Sequence, residues 1–191
     1  MKRGQALKYI NDRLMEGTSK AEVLEEIRGD VSFRTDLLSY LAEVPILRLR
    51  KKYRKINIIL FALLLVITAT KFVTGGLVLL NSKAEFIPWF IFKGFGLFIL
   101  APFVLMYFTV MIFKFRGSAY RQFGNIGIAY LLLSWSSSEA FSTWFIWHIP
   151  TLLAILLAFY IGKKVFPYFS FWGTLREEIL GKEIEAANIE K

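Results

Sequence analysis

Ile56-Asn-Ile-Ile-Leu-Phe-Ala-Leu-Leu-Leu-Val-Ile-Thr-Ala-Thr-Lys-Phe-Val-Thr74 is a run of 19 residues with one charge, Lys71. About 20 apolar residues in helix cross a bilayer, so this run reads as a membrane span. Immediately before it stand Arg48, Arg50, Lys51, Lys52, Arg54 and Lys55. A basic collar beside an apolar run marks the cytoplasmic end of a span and attracts anionic lipid headgroups. Pro45 suits the first turn of a helix, and no breaker follows before Gly75-Gly76. Collar and span are therefore expected to form one helix.

Working outward, three further apolar runs give spans at about 86–113, 119–136 and 141–162. Lys114, Arg116 and Arg121, then Lys163 and Lys164, fall on the collar side, and only Lys83 falls in the opposite loops. This asymmetry predicts an all-α membrane protein of four transmembrane helices in two hairpins. It belongs in the cell membrane as a multi-pass protein, with both termini cytoplasmic. Hydrophobic residues make up 55% of the chain and aromatic residues 17%, in agreement with that class. Met1 to Leu14 mixes charges throughout, which is not the pattern of a signal peptide.

Residues 1–44 predict a small cytoplasmic three-helix domain. Leu7, Ile10 and Leu14 share a helix face up to Gly17, and Ser19-Lys-Ala-Glu22 is a capping box opening a second helix with Val23, Leu24 and Ile27 inward. After Gly29-Asp30 a third helix, about 32–43, would bury Phe33, Leu37, Leu38 and Leu41. A core this small calls for support from the membrane domain, the tail or a partner. Residues 45–55 form the basic juxtamembrane helix and 56–164 the membrane domain. In 165–191, the aromatic segment Phe166 to Trp172 is expected along the inner interface. Thr174-Leu-Arg-Glu177 would then cap an amphipathic C-terminal helix.

The two hairpins carry related sequences. Trp89-Phe-Ile-Phe-Lys93 parallels Trp144-Phe-Ile-Trp-His148, and 82–93 matches 137–148 at five positions. Each copy passes from a turn with one carboxylate through a Trp to a Lys or His inside the span. Lys71, Lys93 and His148, bordered by Trp89 and Trp144 with Glu139 as counter-ion, are therefore candidates for a basic outer pocket taking an anion or anionic headgroup. An aromatic belt with snorkelling lysines accounts for the same residues without a pocket. Ala154, Ala158 and Gly162 form a small-residue stripe suited to close helix packing. Pro102 and Pro150 are expected to kink their spans.

Catalytic chemistry finds little to work with. Cysteine is absent, His148 is the only histidine, and the three aspartates Asp12, Asp30 and Asp36 all precede the spans. Ser134 with His148 lacks an orienting acid, and no phosphate loop or metal-ligand spacing occurs. Neither a catalytic residue, a metal nor a cofactor is expected. The net charge of +9 is explained by the membrane surface rather than by nucleic acid, since the collar holds one Tyr and no recognition module. The expected function is a membrane-embedded subunit or adaptor with a cytoplasmic partner-binding helical domain. Its partners would be an anionic bilayer, a protein bound by that domain, and further copies of the chain. The alternative is a small oligomeric channel or transporter using the outer pocket.

Overall fold

A computed structural model describes residues 3–27, 34–81, 100–134, 141–176 and 182. Among them the elements are helical and there is no strand. They are α1 (Arg3–Glu16), α2 (Lys20–Ile27), α3 (Arg34–Glu43), α4 (Leu47–Asn81), α5 (Ala101–Phe113), α6 (Gly117–Ser134) and α7 (Phe141–Val165).

The first three helices form a head with its own core of Ile10, Leu14, Val23, Ile27, Leu41 and Val44. Local chemistry sets its boundaries. Gly17 at φ +100° ends α1, where the Thr18 N–H returns to the Arg13 carbonyl at 3.2 Å. The capping box closes α2 reciprocally: Ser19 N–H donates to Glu22 Oε2 at 3.0 Å, and Glu22 N–H donates to Ser19 Oγ at 3.2 Å. Phe33 lies outside the described residues. Arg13 then binds the Glu26 carboxylate through Nε and Nη2, and Tyr9 donates to the same carboxylate at 2.7 Å.

The hydrogen bonds from Arg13, then that from Tyr9, hold the Glu26 pKa below the usual carboxylate value. A lowered folded-state value means the stabilisation is complete above the unfolded pKa, about 4.3, and is lost as pH falls through the folded value. The wild-type head should therefore lose stability as pH falls below the unfolded value, and Glu26→Gln should be less stable at neutral pH with a flatter acid response. Circular-dichroism melts of both proteins across that fall in pH test it. Parallel pH profiles would remove Glu26 from the account.

From Leu47 to Asn81, α4 is one helix of 35 residues joining collar and apolar run. Pro45 lies two residues before it, and the helix passes through Gly75-Gly76 instead of ending there. Glycine costs about 1 kcal/mol per residue in a helix, which the flanking apolar residues up to Asn81 outweigh. Among the described residues, two helical segments are long and apolar enough to cross a membrane, Leu47–Thr74 and His148–Val165. The third predicted span corresponds to α6, 18 residues long, whose first half carries Arg121, Gln122 and Asn125. Of the second predicted span the structure describes Leu100 onwards. Pro102 falls in the first turn of α5, where a missing N–H is harmless, and α7 continues through Pro150.

The four long helices share a second core that includes Leu60, Leu64, Phe108, Ile112, Tyr120, Phe123, Ala154, Ala158 and Ile161. The tail departs from expectation. Phe166, Tyr168 and Phe169 are buried in this core, and of the segment's aromatic side chains only Phe171 and Trp172 are exposed. Leu175 pairs with Phe169 in a single antiparallel bridge around Gly173, φ +83°, with Ser170 N–H donating to the Thr174 carbonyl at 2.8 Å. Thr174 thus closes a tight turn and Leu175 lies in a bridge instead of a first helical turn, while Glu177 and the body of the expected C-terminal helix lie outside the described residues. The reason is tertiary: Tyr120 stacks on Phe166 at 5.4 Å, and Asn125 Nδ2 donates to the Phe171 carbonyl at 2.7 Å, folding the segment back onto α6.

Candidate functional site

Two places gather chemistry, one at each end of the bundle. The first is the end remote from the collar. Lys71 lies 16 residues beyond Lys55, about 24 Å along α4, against a hydrocarbon core of about 30 Å. Its ammonium sits 5.2 Å from the centre of the Tyr130 ring on α6, and the His148 ring on α7 lies 6.1 Å from the same ring. Lys71 and His148 therefore flank one tyrosine, which no sequence pattern had singled out. Beneath them a cavity of about 160 Å³ is bounded by Lys71, Tyr130 and buried Thr151 among apolar walls that include Ile67, Val104 and Phe108. Trp144 belongs to the N-terminal part of α7. Lys93, Trp89 and Glu139 lie outside the described residues. Ser134 donates to the Leu131 carbonyl of its own helix at 2.9 Å.

The second place is the collar end, where head and bundle meet through polar contacts between distant parts of the chain. The Glu43 carboxylate, at the end of α3, accepts the Ser118 N–H at 3.1 Å. The first N–H groups of a helix have no partner within it, so a carboxylate there satisfies a donor and opposes the positive end of the helix dipole. Arg116 Nη2 donates to the Tyr40 hydroxyl at 3.2 Å, with its guanidinium 4.7 Å from the centre of that ring. Arg50 reaches Met15 Sδ and lies over Phe115, and Lys20 on α2 covers the Tyr168 ring at 4.4 Å. The head is thereby fastened to α4, α6 and the tail.

Below this junction a buried network ties three helices. Asn57 Nδ2 donates to the Ile112 carbonyl at 3.1 Å, and the Tyr120 hydroxyl donates to Asn57 Oδ1 at 2.6 Å. Asn57 is the one amide in the run that opens with Ile56, and an amide near the start of an apolar stretch was the signal available for it. Of the stripe on α7, Ala154 and Ala158 are fully buried, and a Cβ on Gly162 would lie 3.3 Å from Tyr120 Cβ and from Arg121 Nε. The facing element is α6, whose Gly117, Gly124 and Gly127 approach Phe166, Phe159 and Ile155.

The collar cations divide by direction. Arg50, Lys51 and Arg54 line a groove between α4 and the head, and Arg48, Lys52 and Lys55 do not. Among the described residues, no group of three or more His, Cys, Asp or Glu is placed to hold a metal ion. Comparison with protein-family models, curated proteins and solved structures returns no match for this chain.

Proposed function

We propose that the chain is a four-span integral protein of the cell membrane with both termini cytoplasmic. Its docked head serves as the binding element of a non-catalytic membrane-embedded subunit or adaptor. The supporting observation is where apolar surface is left uncovered. Ile59 and Val66 on α4, Phe103 and Tyr107 on α5, Leu132 and Leu133 on α6, and Leu153 and Leu156 on α7 are all exposed. In the head, Ile10, Leu14, Val23, Leu41 and Val44 are buried, and Tyr9 is exposed. Only 28% and 39% of the most apolar windows of Leu47–Thr74 and His148–Val165 are buried, unlike core helices of a water-soluble fold. Exposed apolar side chains on all four helices suit a lipid surround. The fastened head then presents α1 and α2 at the cytoplasmic face.

Because the chain has no cysteine, single cysteines report topology directly. Cysteines replacing Ser82 and Ser138 should react with an impermeant thiol reagent outside intact cells, and one replacing Ser118 should react only after permeabilisation. Labelling of the Ser118 variant in intact cells would overturn the four-span arrangement. For the adaptor role, a photo-crosslinker at Glu25, exposed on α2, should give one defined protein adduct in native membranes. A ladder of unrelated adducts would count against it.

Transport is the second reading, and the meeting of Lys71 and His148 at Tyr130 favours it. It expects anion flux in proteoliposomes that Lys71→Met abolishes.

A further inference from the structure

The groove at the collar end has a volume of about 890 Å³ and runs between the head, α4 and the turn joining α5 to α6. Six cations line it: Lys8 from α1, Arg50, Lys51 and Arg54 from α4, and Lys114 and Arg116 from the turn. Among the described residues, no carboxylate lines it. Below the cations its lining is mostly apolar, with Ile58 and Phe61 one and two turns below Arg54 and Phe113 of α5, and Asn57 the one polar side chain at that level. Ile58 and Phe113 are exposed and so belong to the surface that lipid would cover.

Helical spacing explains the gradient. Positions 50, 54, 58 and 61 follow i, i+4, i+8 and i+11, so one face of α4 changes from guanidinium to hydrocarbon as it descends. The turn is built to match. Phe115 adopts φ +55°, a left-handed conformation that is an outlier for a bulky residue and costs about 1–3 kcal/mol. That conformation buries the Phe115 ring beneath Arg50 while Lys114 and Arg116 on either side line the groove. Arg50 and Arg116 are held by a thioether, a phenol and two aromatic faces, all neutral, so their positive charge remains uncancelled.

We propose that this groove binds one anionic phospholipid of the cytoplasmic leaflet. The phosphate-bearing headgroup lies among Lys8, Arg50, Arg54, Lys114 and Arg116, and an acyl chain descends along Ile58, Phe61 and Phe113. Planar guanidinium groups match phosphate oxygens in pairs, and cations bordered by low-dielectric walls attract an anion more strongly than the same cations in water. A free anion or a nucleic acid would leave the apolar lining uncovered, whereas a lipid occupies both parts. The leaflet assignment rests on the membrane orientation proposed above. The binding site itself does not, because it is a feature of the folded chain.

The test titrates the full-length protein in neutral detergent with short-chain phosphatidylglycerol and reads bound lipid by native mass spectrometry. Phosphatidylcholine of the same chain length and inorganic phosphate serve as separate probes. One phosphatidylglycerol should bind ahead of the rest, with no equivalent site for phosphatidylcholine. Arg50→Gln/Arg116→Gln should weaken that site about tenfold or more, and Lys52→Gln/Lys55→Gln, with the same loss of charge outside the groove, should leave it nearly unchanged. Should the arginine pair fail to fold, Arg54→Gln/Lys114→Gln, both exposed, provides the same comparison. Equal weakening by the two kinds of variant would assign the effect to general collar charge and overturn the groove. Saturation of the site by inorganic phosphate alone would overturn the lipid as occupant. Cysteine labelling that reversed the orientation, with lipid binding intact, would move the site to the other leaflet without removing it.

Discussion

Gly124→Val is expected to lower the thermal midpoint of the solubilised protein by about 5–10 °C, corresponding to overpacking by about 2–3 kcal/mol. A Cβ on Gly124 would stand 2.5 Å from Phe159 Cζ and 2.7 Å from Cε2, well inside contact distance. Moving the ring aside disrupts its own packing. It stacks on Phe171 with centroids 5.5 Å apart and planes 9° apart, and the Arg121 guanidinium covers it at 6.0 Å. Gly127, whose Cβ would lie 2.7 Å from Ile155 Cγ1, continues the same seam. Small residues matter here because helices surrounded by lipid gain their association from close packing, not from hydrophobic exclusion of water. Ala158→Leu should be destabilising for the same reason, since Ala158 is fully buried. Leu156→Ala and Ala129→Val, at exposed positions, should melt within about 2 °C of wild type. Indistinguishable melting of all four variants would mean that α6 and α7 do not meet through this face.

Asn57→Leu is the second large effect, expected at about 1–2 kcal/mol. The substitution leaves the Ile112 carbonyl without the amide that donates to it at 3.1 Å and removes the acceptor of the Tyr120 hydroxyl. Both side chains are buried, Asn57 at 3% exposure and Tyr120 at 0%, so water cannot replace the lost partners. The hydroxyl retains one longer bond, to the Ile112 carbonyl at 3.3 Å, which keeps the cost below that of a fully orphaned group. Tyr120→Phe should cost less than Asn57→Leu. The double variant should lose about 1 kcal/mol less than the sum of the two, because the second change removes a group already deprived of its partner. Strict additivity in equilibrium unfolding would show that Asn57 and Tyr120 do not act as a pair.

Of the outer cluster, the sequence pointed to Lys71 and His148 as ionisable groups inside apolar runs but missed Tyr130, the ring between them. The repeat that drew attention to Lys93 and His148 relates positions along the chain, whereas the observed meeting involves α4, α6 and α7, which the repeat does not connect. The collar offers the same lesson. Six clustered cations were legible as a basic collar, yet their division into Arg50, Lys51 and Arg54 lining the groove and Arg48, Lys52 and Lys55 outside it required the head to be in place.

The glycines were also in plain view. Gly117, Gly124 and Gly127 fall within one helix face by their spacing of 7 and 3 residues. Attention to the stripe on α7 passed over this second small-residue face. Thr174 shows the opposite error, a motif with the right spacing for a helix cap that the packing of Phe166 and Phe169 turned into a bridge.

What the sequence by itself determined lies within about four residues along the chain: the Ser19 to Glu22 box, the stop at Gly17, and the helix that carries the collar into the apolar run. These features depend on i, i+3 and i, i+4 neighbours and on backbone preferences, which any reader of the chain can evaluate. The tertiary structure alone decided the Glu43 cap on Ser118, the Asn57 bond to Tyr120, the seam between α6 and α7, and the basic groove. Each joins residues remote in sequence or on separate elements, and the Glu43 cap and the Asn57 bond span 75 and 63 positions. Such contacts follow from how helices cross and which faces meet, and a local pattern leaves many crossings equally open until a complete set of side chains packs in one of them.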